Sequence, residues 1–139
     1  MKVLLGIPTE GWLHHRLVPW IVKMCKDTNH EVTLFVSQLV GNEANRGKIT
    51  KTFLAGDFDY LLMIDSDQEP LVNPLKMINH NKDVMGMPTV INTGIPGENN
   101  LVWNVLNKYD GEGYHASARK ERVVGLEKIH AIGTGSLLI

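Results

Sequence analysis

The stretch Asp57-Phe58-Asp59-Tyr60-Leu61-Leu62-Met63-Ile64-Asp65-Ser66-Asp67 sets the reading of the whole chain. Its middle, residues 60–64, is short and almost wholly apolar, the pattern of a strand buried on both faces. At its carboxyl end the character turns abruptly acidic with Asp65-Ser66-Asp67. In extended backbone, side chains two residues apart point to the same side, so both carboxylates can face one bound cation. Hard oxygen ligands of this kind suit Mg²⁺ or Mn²⁺, which are held by one or two carboxylates together with substrate phosphates. In open α/β sheets ligands gather outside the carboxyl ends of strands, and that is where this pair falls. The plainer alternative is a solvated acidic turn, since an Asp-x-Asp triplet alone is a weak motif.

Upstream, Val3-Leu4-Leu5-Gly6-Ile7 is a second apolar run, closed by Pro8, and reads as another buried strand. Leu17, Val18, Ile21, Val22, Met24 and Cys25 are spaced as one apolar helix face. Pro19 is tolerated only in a first turn, which places the start of that helix near 16–18. Residues 31–36 are mostly β-branched and apolar, a second strand in chain order. A helix is expected over 43–55, with Asn42 as its cap, Ile49 and Phe53 one turn apart, and Gly56 as its stop. Downstream, Asn73-Pro74 reads as a cap followed by a first-turn proline, opening a short helix through His80.

Beyond it, residues 83–87 read as a strand, and Gly94, Pro96, Gly97 and Gly111 mark loops around a strand at 101–105. Residues 123–139 read as strands broken by Gly133-Thr134-Gly135. Strands alternating with helices predict an α/β fold with a mainly parallel sheet and helices on both faces. The final Ser136-Leu137-Leu138-Ile139 is an apolar strand without a polar tail. An unprotected hydrophobic edge predicts that the chain is the N-terminal part of something longer, or that another copy pairs with it as a homo-oligomer.

Composition narrows the function classes. The 139 residues suit one domain with a real core, and 43% hydrophobic with 21% charged residues excludes disorder as the main state. Fourteen Lys and Arg against fifteen Asp and Glu leave a formal charge of -1, which gives no electrostatic case for nucleic acid or an anionic membrane. A single cysteine, Cys25, excludes an internal disulfide framework, and on an apolar helix face it reads as a buried structural thiol. No apolar run approaches the ~20 residues of a membrane span, and the apolar part of the N-terminus is too short for a signal peptide. A cytoplasmic location is the expectation.

With Pro70 following, the acidic-ended strand resembles the heart of a glycosyltransferase of the GT-A fold, most like family 2. The other landmarks fall in order. Residues 3–8 resemble the first strand and its nucleotide-binding exit, and Asn45-Arg46 resembles the start of the helix before the Asp-x-Asp strand. Asp83-Val84-Met85-Gly86 resembles the next strand, and Ile132-Gly133-Thr134-Gly135 the glycine turn near the acceptor site. The resemblance covers nearly all of residues 1–139 and implies one Rossmann-like nucleotide-sugar-binding domain, lacking its C-terminal part.

That resemblance implies transfer of a sugar from a UDP- or GDP-sugar to a glycan, lipid or protein acceptor, with Mn²⁺ or Mg²⁺ at the Asp-x-Asp motif. Asp67 is then the more direct metal ligand, and Asp65 holds the ribose or a metal-bound water, with Ser66 between them at the nucleotide. Pro8, Thr9 and Glu10 line the base and ribose pocket, and Arg46 offers its fork of donors to base or phosphate. Two departures stand out. Ser37 and Gln38 occupy the place where the family often has an acidic residue holding the base, and no acidic residue follows Gly133 to act as catalytic base. The base is therefore expected C-terminal to this chain.

Other candidates have plainer readings. His14 and His15 are adjacent and on a helix would point about 100° apart, so a surface loop is favoured over a shared metal. His130 reads as a core or edge histidine; Trp12, Trp20 and Trp103 offer faces for stacking on a sugar or base but read as core; and Arg119, Lys120 and Arg122 offer charge to a phosphate but, with Glu121 among them, read as a solvated edge. Two other classes are weighed. Phosphoryl transfer through an aspartyl phosphate has a late lysine in Lys128 but lacks the usual context around the nucleophile. A non-catalytic nucleotide- or sugar-binding module needs only the binding half of the chemistry.

Overall fold

Three strands from the first half of the chain make the parallel part of the main sheet. Strand β1 (Lys2–Thr9) lies between β2 (Glu31–Gln38) and β3 (Tyr60–Ile64), parallel to both, with Val3 opposite Val32 and Tyr60. Helix α1 (Leu17–Cys25) connects β1 to β2, and α2 (Asn42–Ala55) connects β2 to β3. This computed structural model describes residues 1–92, 101–103, 105–108, 114–116, 126, 128, 129 and 131–139. The chain divides into two units, Met1–Met87 with Thr134–Ile139, and Pro88–Gly133.

Alternation along β1 explains why its run carries no polar side chain before Thr9. Val3, Leu5 and Ile7 face one layer, where they meet Leu17, Ile21 and Met24 of α1 and Leu75, Met77 and Ile78 of a 3₁₀ helix, Pro74–His80. Leu4 faces the other layer, with Leu61 and Met63 of β3 and Ile49 of α2. Both faces of the strand are thus removed from water. Gly6 lies on the α2 face, where a β-carbon would collide with Cγ2 of Ile49; its lack of a side chain lets the helix sit close on the sheet.

The expected mainly parallel, GT-A or Rossmann-like sheet is not what the chain forms. β10 (Ser136–Leu138) enters between β3 and β4 (Met85–Gly86), antiparallel to both, and the sheet order is β2-β1-β3-β10-β4. In the second unit β5 (Val90–Asn92) pairs β6 (Leu101–Trp103), and β7 (Val105–Lys108) pairs β8 (Tyr114–Ala116) and β9 (Ala131–Ile132), always antiparallel. Among the described residues five of seven strand pairings are therefore antiparallel. The physical reason is simple: an apolar run reads the same in either direction. Its connections set its direction, and β10 is entered from a turn rather than from a crossover helix. β10 is also hydrogen-bonded on both sides, so it is no unprotected edge.

Smaller departures have local causes. Leu17, Ile21 and Met24 form a narrow buried stripe on α1, and Val18, Val22 and Cys25, each one residue further round, are exposed. Gly41, whose φ of 91° favours glycine, holds the cap position before α2, and Asn42 is the first residue of the helix rather than its cap. Pro8 continues β1 instead of closing it, opposite Ser37. Asn73 does cap the 3₁₀ helix, its side chain accepting from Leu75 N at 3.1 Å. The glycine- and proline-rich stretch 94–97, Gly111, Arg119, Lys120, Arg122 and His130 lie outside the described residues. No helix among the described residues is long and apolar enough to cross a membrane.

Gly6→Ala is expected to lower unfolding free energy by about 1–3 kcal/mol, since the new methyl group has no room beside Ile49. Adding Ile49→Ala should make the double variant less destabilised than the sum of the two single changes, measured by urea denaturation. A second expectation concerns the turn after α1, where Asp27 Oδ1 accepts from His30 Nδ1 (2.9 Å), Asn29 N (2.9 Å) and His30 N (3.0 Å). The His30 ring, aided by the two amides, holds this carboxyl below its ordinary value of 3.8. The stabilisation is thus complete above the ordinary value and is lost as pH falls through the lowered one. Asp27→Ala should lose less stability than wild type between about pH 6 and about pH 3.

Candidate functional site

Because β1 and β3 are neighbours running the same way, the segments leaving their carboxyl ends emerge side by side. Between them opens a pocket of about 190 Å³. Pro8, Thr9, Glu10 and Trp12 form one wall, Asn42 and Asn45 of α2 a second, and Asp65, Ser66 and Asp67 a third. Six residues picked out from the sequence, Pro8, Thr9, Glu10, Asp65, Ser66 and Asp67, are thus brought together from distant parts of the chain. Arg46 reaches the site through Asp65.

A buried amide holds these walls in place. Asn45 is 1% exposed, and its Oδ1 accepts from Ser37 Oγ (2.9 Å) and Leu39 N (2.7 Å). Its Nδ2 faces three carbonyls, those of Thr9 (3.2 Å), Leu39 (2.9 Å) and Gly41 (3.1 Å). Ser37, where the resemblance leads one to expect an acidic residue, is fully buried and belongs to this frame. Gln38 lies against the opposite loop, its Nε2 3.2 Å from where a β-carbon on Gly11 would stand.

The loop after β1 is tied at both ends. Thr9 Oγ1 donates to Trp12 O at 2.5 Å and accepts from Gly11 N and Trp12 N, each at 3.1 Å. Further along, His14 N donates to Ser66 O at 2.8 Å, fastening this loop to the acidic turn. His14 and His15 lie in the loop before α1, ring centroids 4.6 Å apart. Trp20 packs partly buried on the core beneath Lys23, whereas Trp12 is exposed.

At the acidic wall, Arg46 Nη2 donates to Asp65 Oδ1, while its Nε donates to Asn42 Oδ1 at 3.1 Å. The same guanidinium reaches Thr134 O at 3.4 and 3.5 Å, and Asp65 N donates to Gly135 O at 2.9 Å. Placing β10 beside β3 is what delivers Thr134 and Gly135 here. Burial pushes the Asp65 carboxyl above its ordinary value; Arg46 pulls against it and the Asp67 charge adds to it. Asp67 is exposed, with Gln68 Nε2 3.3 Å from its Oδ1.

The donor set fits a hard divalent cation only in part from protein. Asp65 and Asp67 supply carboxylates, and among the described residues no group of three or more His, Cys, Asp or Glu side chains could hold a metal. A cation there needs phosphate oxygens and water to complete its shell, a habit of Mg²⁺ in phosphate sites. Trp12, read as core from sequence, is exposed on the rim, while Asn45 as an anchor and the Thr134-Gly135 carbonyls were not evident from sequence. The Gly-x-Gly turn before an apolar strand was the sole written sign of the last. Asn45→Ala is expected to cost more than about 2 kcal/mol, because several buried partners lose their hydrogen bonds at once. Asn45→Asp should cost more still, since it turns a carboxylate toward three carbonyls; urea denaturation of both variants checks the ranking.

No protein-family model matches the chain, and neither does any curated protein. Among solved structures it is similar to the crystal structure of A197 from STIV, with a TM-score of 0.66 and 22% sequence identity over 100% of this chain. The match covers 64% of that chain, so the present sequence spans less than two thirds of its length. At this identity the likeness bears on the fold alone: the mixed, mostly antiparallel arrangement described above is of a kind found in A197 from STIV, and it replaces the mainly parallel one expected from sequence.

Proposed function

We propose that this pocket binds the diphosphate of a nucleotide-sugar together with Mn²⁺ or Mg²⁺, and that the protein acts in glycosyl transfer. The observation that carries the reading is that the exit of β1 and the Asp65-Ser66-Asp67 turn share one pocket. Charge supports the cation. Glu10, Asp65 and Asp67 line the pocket with Arg46 as the basic group on Asp65, so a bare diphosphate entering it meets a surplus of negative charge. A divalent ion between carboxylates and phosphates removes that repulsion, and when bound it stabilises the charge developing on a departing nucleoside diphosphate.

In this reading Asp67, the more exposed carboxylate, is the direct ligand. Asp65, oriented by Arg46, serves the ribose or a water on the metal. Pro8, Thr9 and Glu10 face the base and ribose. Arg46 acts on the nucleotide through Asp65 rather than by reading the base itself. The catalytic base is assigned to none of the lining residues.

The test is calorimetric titration of UDP and of GDP, each with Mn²⁺ and again with a chelator, into wild type and Asp67→Ala. One nucleotide should bind with metal, and binding should weaken at least about tenfold with the chelator or in the variant. Tight binding that survives both changes would rule out the metal assignment. Nucleotide binding without hydrolysis or transfer of the matching nucleotide-sugar would leave a binding module in place of an enzyme.

A further inference from the structure

The main sheet ends in two unlike strands. β4, at one end, is two residues long, whereas β2, at the other, is eight residues long and pairs only with β1 among the described residues. A long row of backbone donors and acceptors is therefore left open along its outer side. The usual guards of such an edge are missing. Glu31-Val32-Thr33-Leu34-Phe35-Val36-Ser37-Gln38 holds no proline and no lysine, and its one charge stands at the first position. Its register against β1 runs unbroken from Glu31 to Gln38, so no bulge twists the edge away. The strand is also apolar where it is open. Val32, Leu34 and Val36 stand opposite Val3, Leu5 and Ile7, and so share the layer that carries α1. Leu34 and Val36 are 40% and 43% exposed, and α1 leaves Val18 and Val22 nearly half exposed on that layer.

We propose that β2 is a dimerisation edge, pairing antiparallel with β2 of a second copy of this chain about a twofold axis at Leu34. Self-complementarity is what selects a second copy. A twofold axis normal to the sheet sets residues of the same face against each other. Centred on Leu34, it places Leu34 against Leu34 and Val32 against Val36, so the apolar face meets only itself. On the other face Thr33 meets Phe35, and Glu31 meets Ser37 rather than a second carboxylate. Moving the axis to Phe35 sets Val32 against Gln38, and moving it to Thr33 sets Glu31 against Phe35. The same rotation brings both α1 helices to one face of a continuous sheet, with the exposed valines of each copy on that face. It also turns the two pockets, which lie at the carboxyl ends of β1 and β3, to opposite ends of the dimer.

The experiment combines sedimentation equilibrium of wild type and Leu34→Lys with oxidative crosslinking of Leu34→Cys and Val36→Cys. Both cysteine variants carry Cys25→Ser, because Cys25 is itself exposed. Wild type should sediment at twice the 15.5 kDa of one chain. Leu34→Lys, which opposes two ammonium groups at the axis, should weaken the dimer at least about a hundredfold with an unchanged circular dichroism spectrum. Leu34→Cys should form a disulfide dimer, since directly opposed residues of an antiparallel pair lie within disulfide reach, and Val36→Cys, facing Val32, should not. A wild type that stays monomeric up to its solubility limit overturns the proposal. So does a dimer that withstands Leu34→Lys, or one that crosslinks through Val36→Cys as readily as through Leu34→Cys. Should Leu34→Lys fail to fold, the crosslinking decides: absence of a disulfide dimer in Leu34→Cys overturns the pairing.

Discussion

The Asn45 side chain is the constraint on which the pocket depends. One carboxamide joins the end of β1 at Thr9, the end of β2 at Ser37 and Leu39, and the entry to α2 at Gly41. Asparagine suits this position because it presents an acceptor and two donors from one rigid plane. Neither aspartate nor leucine has both. Every group it meets is backbone or a buried hydroxyl, so the network is local and the amide, itself buried, is fully paired, the condition under which buried polar groups specify one arrangement. The walls it fixes are those that carry Glu10 and Trp12 and that bring Arg46, the next residue, to Asp65.

A second layer of order comes from the mixed sheet. Had the strand beside β3 been parallel, its carboxyl end would point the same way as β3's, and a further loop would leave the sheet there. Running antiparallel, β10 begins at that end, so the turn just before it delivers carbonyls instead of a departing loop. Gly135 O then takes the Asp65 amide, and Thr134 O faces Arg46. The acidic turn is thus braced on one side by α2 and on the other by β10, which leaves Asp67 as its more exposed carboxylate.

How much of this is legible in the sequence follows from burial. β3 is read to the residue, because a strand covered on both faces must drop its polar side chains and the change at Asp65 marks its end. β1 is read to within a few residues for the same reason, whereas β2, mostly exposed, is read from its β-branched composition and α1 from the spacing of its apolar residues. Strand direction is not written in an apolar run, and the short antiparallel strands of the second unit are too brief to show a period. Cys25 and Trp12 mislead in the same way. Both are residue types that usually lie inside, and only the narrow buried stripe of α1 and the outward bend at Gly11 place them in solvent. Asn45 looks like any polar residue near a helix start; its fivefold bonding exists only once three chain segments have met.

β10 also bears on the order in which the molecule is assembled. The parallel core of β1, β2 and β3 is drawn from the first half of the chain, yet the carbonyl that receives the Asp65 amide comes from residue 135. Contacts this distant in sequence carry a high loop-closure cost and form slowly. The apolar groups of β1 can therefore be sequestered before the acidic turn acquires its final shape. The brace on the acidic turn thus depends on a segment synthesised about 70 residues after Asp65.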